Sequence, residues 1–171
     1  MKLTKNLDLR ELVPKSVWTR HGGRAVRMVD AQLILAVQEI VGRRGWTSVT
    51  INDWLWGGGS EQRGLRIPGQ PLYRGDGAHD WGRALDLVPR RGSERVEDLV
   101  REFHEMAATY PGRIKDLGIW RIETIDLAPT WIHIDSVFSA NQQKVAFIDM
   151  TRRFSPEEYA DSILRNNIPK A

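Results

Sequence analysis

The sequence predicts an α+β domain, a small and mostly antiparallel sheet with flanking helices. Two segments place apolar residues at helical spacing, several short runs are rich in β-branched and aromatic residues, and nothing between them reads as a repeat or a linker. The 171 residues are 41% hydrophobic and 27% charged, which suits one globular domain with its own core.

Residues 1–23 read as an irregular N-terminal arm, with Pro14 and Gly22-Gly23 as turn formers. Over 26–41, Val26, Val29, Leu33, Val37, Ile40 and Val41 recur at helical spacing and Gly42 lies just beyond, which predicts an amphipathic helix. Residues 46–56 turn to β-branched and aromatic types and predict a strand that Gly57-Gly58-Gly59-Ser60 ends. From there to Gly77 the chain is rich in Gly and Arg without periodicity, and a loop of that length in a compact domain is a functional candidate. Residues 84–88 form a short strand closed by Pro89. Ser93 is the expected cap of a second helix, which buries Val96, Leu99, Val100, Phe103 and Met106 and stops before Pro111-Gly112. Strands follow at 119–125 and 131–137, joined by a turn at Ala128-Pro129, and another at 145–148. Ser155-Pro156-Glu157-Glu158 starts the last helix, with Ser as cap, Pro at the first position and Glu158 completing a capping box.

Composition narrows the chemistry. There is no cysteine, so disulfides, thiolate metal sites and cysteine nucleophiles are excluded together. A transition-metal site must therefore use carboxylates and the four histidines His21, His79, His104 and His133. The net charge of +3 makes the chain mildly basic, but Lys and Arg are dispersed, with only the pairs Arg43-Arg44, Arg90-Arg91 and Arg152-Arg153. No basic stripe marks a nucleic-acid groove, so no specific nucleic-acid partner is expected. The longest apolar stretch, at 33–37, is too short to cross a bilayer, and no membrane insertion is expected. The first ten residues lack the apolar core of a signal peptide, so synthesis in the cytoplasm is expected.

Two segments carry the chemistry: Gly77-Ala78-His79-Asp80-Trp81-Gly82-Arg83-Ala84-Leu85-Asp86-Leu87 and Pro129-Thr130-Trp131-Ile132-His133-Ile134-Asp135. Alternation puts Ala84, Asp86 and Val88 on one face of the first strand and Leu85 and Leu87 on the other. Gly82 permits a bend that folds His79 over the Asp86 face, and small Ala84 leaves room for an ion. In the second segment His133 and Asp135 point to one side and Ile132 and Ile134 to the core. Two imidazoles and one carboxylate suit a tetrahedral zinc ion with one position left open. His21 and His104 keep a structural reading, His104 at the solvent boundary. Most of the seven Trp are expected in the core, with Trp81 and Trp131 flanking the ligands.

The first segment contains His-x-x-Gly-x-Ala-x-Asp and resembles the signature of the D-Ala-D-Ala carboxypeptidase and L-Ala-D-Glu endopeptidase family. These zinc enzymes share a fold with the Hedgehog signalling domain and include many phage endolysins. The second segment is similar to the family's closing strand, and the resemblance spans residues 46–137. It implies a Hedgehog/DD-peptidase-like fold, zinc held by His79, Asp86 and His133, and hydrolysis of a peptide bond in the peptidoglycan stem. The domain reading is then an arm at 1–23, a zinc peptidase-like domain at 24–150, and a helical tail at 151–171 packed on it.

The pattern departs from the family at three points. Gly77 stands where Ser is usual, Thr130 stands where many members carry a Glu general base, and residues 62–66 stand for the upstream Ser-Gly-Tyr-Arg turn. Asp135 is then either the proton acceptor or a carboxylate that orients His133, with Asp126 or Glu123 the next candidate if it has neither role, and Arg63 or Arg66 the oxyanion partner. A monomer is expected, acting on the wall after lysis-type release or within a phage particle. The alternative is a non-catalytic metal-binding structural or binding module of the same fold, such as a virion component.

Overall fold

A computed structural model describes residues 1–139 and 142–166, so residues 167–171 of the predicted tail lie outside the described residues. The architecture is α+β, with a six-stranded mixed sheet, a separate two-stranded antiparallel sheet and flanking helices. Sheet order is β3-β4-β6-β5-β7-β8, with β3 at Ser48–Thr50, β4 at Ala84–Arg90, β5 at Arg121–Glu123, β6 at Ile132–Asp135, β7 at Ala146–Ile148 and β8 at Arg153–Phe154. Every pairing is antiparallel except β5 with β7. The small sheet joins β1, Lys2–Thr4, to β2, Leu7–Asp8.

The N-terminal segment, expected to be irregular, is structured. β1 and β2 lead into helices α1, Leu9–Leu12, and α2, Lys15–His21, and Leu7, Leu9, Leu12, Val13 and Val17 join the common core. The signal was present as Asp8-x-x-Glu11, a capping box in which the Asp8 side chain caps the helix and Glu11 Oε1 accepts from the Asp8 N–H at 3.0 Å. The predicted helix at 26–41 divides. Val26 lies in a 3₁₀ segment, Gly22–Met28, while α3 runs Ala31–Arg44. Asp30 caps α3 by accepting from the Gln32 N–H, so Val29 stands outside it and Gly42 inside it. Gly45, at φ 63°, is the left-handed stop.

The strand expected at 46–56 shrinks to β3, and residues 54–56 turn into 3₁₀ helix. β4 continues through Pro89, because β6 reaches only Leu87 and no second neighbour needs the missing N–H. Helix α4, Val96–Thr109, starts later than Ser93, and Pro111 opens a further helix, α5, Pro111–Asp116. Helix α6, Pro156–Asn166, has the expected capping box, with Glu158 N–H donating to Ser155 Oγ at 3.2 Å and Ser155 N–H to Glu158 Oε2 at 2.7 Å.

The two sheet faces differ in chemistry. Leu85, Leu87, Ile122, Ile132, Ile134 and Phe147 share one face through the register Leu85↔Ile134, Leu87↔Ile132 and Ile122↔Ile134 and ↔Phe147, and all are fully buried. α4 packs on β4, and α6 packs on α4 and β7. His104 is therefore buried between elements and not at the solvent boundary, since α4 has two covered sides. Its Nδ1 shares a hydrogen bond with the Tyr159 hydroxyl at 3.0 Å, and burial lowers its pKa to about 3. The same hydroxyl accepts from the Ile125 N–H at 2.7 Å, tying α6 to the end of β5. Of the seven Trp only Trp46 is buried, while Trp56 and Trp81 are exposed, so the core is aliphatic with Phe and not Trp-rich as expected.

Candidate metal centre

The other sheet face carries Ala84, Asp86, His133, Asp135, Arg121 and Glu123. The register Asp86↔His133, Ala84↔Asp135 and Arg121↔Asp135 puts them side by side. Facing them is the irregular 57–77 segment, which explains why β4 is buried on both faces. His79 belongs to a 3₁₀ turn, His79–Trp81, that ends at Gly82 with φ 65°. A Cβ on Gly82 would stand 1.8 Å from the Met28 carbonyl oxygen, and the Gly82 carbonyl accepts from the Asp30 N–H at 2.9 Å. Glycine is required there twice, for its backbone angle and for the close approach of α3's start.

These constraints bring His79, Asp86 and His133 together as a buried cluster whose donor atoms lie within 4.8 Å of one another. His79 Nε2 is 3.3 Å from His133 Nδ1 and 3.3 Å from Asp86 Oδ1, and His133 Nδ1 is 2.8 Å from Asp86 Oδ1. Atoms about 2.0–2.1 Å from a tetrahedral ion stand about 3.3 Å apart. The spacing thus suits a small cation, and the donor set of two imidazoles and a carboxylate suits zinc.

Each imidazole is fixed from behind. His79 Nδ1–H donates to the Gly64 carbonyl at 2.8 Å, which leaves Nε2 as the donor toward the cluster. Gly64 can serve because a Cβ would stand 2.2 Å from the Leu12 carbonyl oxygen, and Leu65 N–H donates to that oxygen at 2.8 Å. The Arg63 carbonyl accepts from the Asp86 N–H at 2.8 Å, so the loop backbone extends the β4 ladder. His133 Nε2 is 3.6 Å from Asp135 Oδ2, while both Asp135 oxygens accept from Arg121 Nε at 2.9 and 2.8 Å.

The charges of the cluster oppose the cost of burying it. Burial pulls His133 toward neutrality, but the carboxylates of Asp135 and Asp86 on either side of the ring outweigh it and hold its pKa up at about 10. Burial pushes the Asp86 carboxyl up, yet His133 and His79 hold it well below the usual range. Asp135 is also pushed up by burial and held down by His133 and Arg121. Two buried carboxylates thus draw a proton onto the imidazole between them, where a cation would serve the same balance.

A cavity of about 320 Å³ opens onto this face, lined by Arg66, Arg74, His79, Asp80, Arg121, Glu123, His133 and Asp135 among others. Arg66 lies in it, with Nη2 3.5 Å from Asp86 Oδ2 and Nε donating to the Gln62 carbonyl. Arg63 is not among the lining residues; its guanidinium turns to the Ile51 carbonyl and to Asp53 at 3.9 Å. Trp81 and Trp131 do not line the cavity either, and Thr130 sits on an exposed turn. Gly77 has a local reason: Asp80 Oδ2 accepts from the N–H groups of Arg74, Gly75 and Gly77, and a Cβ at Gly77 would press on it at 3.2 Å.

Sequence reading passed over Gly64, Asp80 and Arg121. Arg121 was findable by alternation, since Arg121 and Glu123 bracket Ile122 on a strand and share the face opposite to it. Gly64 and Asp80 act through backbone contacts that leave no pattern. No family model matches the chain, nor does any curated protein or solved structure.

Proposed function

We propose that the protein is a zinc-dependent peptidase that hydrolyses a peptide bond in the stem of bacterial peptidoglycan, on a Hedgehog/DD-peptidase-like fold. The observation that carries this reading is the buried convergence of His79 Nε2, Asp86 Oδ1 and His133 Nδ1 beside an open cavity. A structural zinc site is usually closed by a fourth protein ligand, whereas the convergent set here has three members among the described residues. Bound zinc would supply Lewis acidity, activating water and polarising the scissile carbonyl.

The chain's own residues do the rest. Asp135, clamped by Arg121, holds the His133 ring with its Nδ1 toward Asp86, and the Gly64 carbonyl does the same for His79. Arg66, half-buried at the cavity wall, is the donor for negative charge developing on the substrate carbonyl oxygen. Such a donor is worth about 10²–10³ in turnover. Arg74 and exposed Leu72 and Met150 line the same cavity, giving it a mixed cationic and apolar wall for a short peptide.

A second reading, a non-catalytic metal-binding module of the same fold, draws support from Thr130 on an exposed turn and from the commitment of Asp135 to Arg121. One experiment separates the two. Metal analysis of the purified chain is followed by incubation with purified peptidoglycan and mass spectrometry of the released fragments. About one zinc per chain together with newly freed stem-peptide termini supports the peptidase; zinc without fragments supports the module.

A further inference from the structure

We propose that Glu123 is the general base of this site, the carboxylate that takes the proton of the attacking water; the assignment rests on the peptidase reading above. Three carboxylates line the cavity: Asp80, Glu123 and Asp135. Asp80 Oδ2 accepts from three backbone N–H groups of the 74–77 turn, and its Oδ1, which accepts none, is buried away from solvent. Asp135 is 1% exposed, accepts from Arg121 Nε with both oxygens and from the Val137 N–H at 3.0 Å, and meets His133 at Nε2, the nitrogen turned away from the cluster. Neither offers an oxygen that is both uncommitted and open to a water in the cavity.

Glu123 differs on each count. It accepts no hydrogen bond among the described residues, and its side chain is 25% exposed, so water reaches it. Its Oε1 lies 3.9 Å from His133 Nδ1, the nitrogen that faces Asp86 and His79. The register that pairs Ile122 with Ile134 carries Glu123 next to His133 on the same face. Glu123 is also outside the convergent cluster, so it stands beside the donors and not among them. That is the position a base needs: within one water molecule of the cluster, and not consumed by it.

The step balances without a further reactant. As the water oxygen bonds to the scissile carbonyl carbon, its proton passes to the Glu123 carboxylate. As the C–N bond breaks, Glu123 returns that proton to the leaving nitrogen, so amide and water become a carboxylic acid and an amine. The carboxylate is regenerated.

The test compares the wild type with E123Q, E123D and D135N for zinc content, turnover on peptidoglycan, and affinity for a phosphinate dipeptide analogue. E123Q should keep one zinc per chain and its KM while kcat falls about 10²–10⁴-fold. It should also lose phosphinate affinity, which needs no turnover to be read. E123D, which keeps the carboxylate, should recover part of both. D135N should instead weaken zinc about 10–100-fold, with activity returning in excess zinc. Unchanged kcat in E123Q, loss of its zinc, or a zinc-replete but inactive D135N would each overturn the assignment. A wild type that releases no fragment removes the peptidase reading and Glu123's role with it, whereas an active wild type with an equally active E123Q removes only the latter.

Discussion

Zinc binding should be set by competition with one proton, the proton on His133. Without a cation, Asp135 and Asp86 hold this imidazole protonated up to about pH 10, against an ordinary value of 6.5. A metal takes only the neutral ring. At pH 7 the ring is three pH units below its pKa, so freeing it costs about 4 kcal/mol, or about 10³ in apparent affinity. The zinc dissociation constant should therefore tighten about tenfold per pH unit from 7 toward 10, releasing about one proton per ion.

The metal-free protein should respond with the opposite sign. A pKa raised on folding stabilises fully below 6.5, and that stability is lost as pH rises through the window from 6.5 to about 10. Chelator competition between pH 6.5 and 9 reads the first effect, and thermal melts in excess chelator read the second. A dissociation constant that does not change with pH, together with no proton release in buffers of differing ionisation enthalpy, would refute the electrostatic account of the cluster.

Three further outcomes follow from particular contacts. Arg66→Ala should lower kcat/KM about 10²–10³-fold with zinc retained, while Arg63→Ala, whose guanidinium points away from the cavity, should leave peptidoglycan turnover unchanged. Tyr159→Phe removes the acceptor of the Ile125 N–H and the hydrogen-bond partner of buried His104 Nδ1; leaving these groups unpaired should cost about 1–3 kcal/mol in urea unfolding. Gly64→Ala drives a methyl into the Leu12 carbonyl and displaces the acceptor behind His79. It should cost about 1–3 kcal/mol in stability and weaken zinc about 10–100-fold by isothermal titration.

The sequence by itself determined the parts governed by local periodicity and by backbone chemistry. Alternation separated Asp86 from Leu85 and Leu87, and His133 from Ile132 and Ile134, because a strand has a period of two and one of its faces is core. Gly82 was legible as a bend, and Ser155-x-x-Glu158 as a helix start, since both act within a few residues. Elements whose limits depend on neighbours were not legible. The strand expected at 46–56 survives only where β4 pairs with it, and the N-terminal arm folds because Leu7, Leu9 and Leu12 find a core built from distant segments. His104 looked like a boundary residue because α6, some fifty positions later, covers that side of α4.

The site divides in the same way. Its three donors were readable as residue types at strand spacing, but their meeting depends on register between β4 and β6 and on the Gly82 turn. Which carboxylate is committed and which is free was decided by tertiary structure alone. Arg121 reaches Asp135 across the β5–β6 pairing and leaves Glu123 open. Lone pairs are claimed by whichever donors the fold brings near, and a one-dimensional pattern carries no record of those donors.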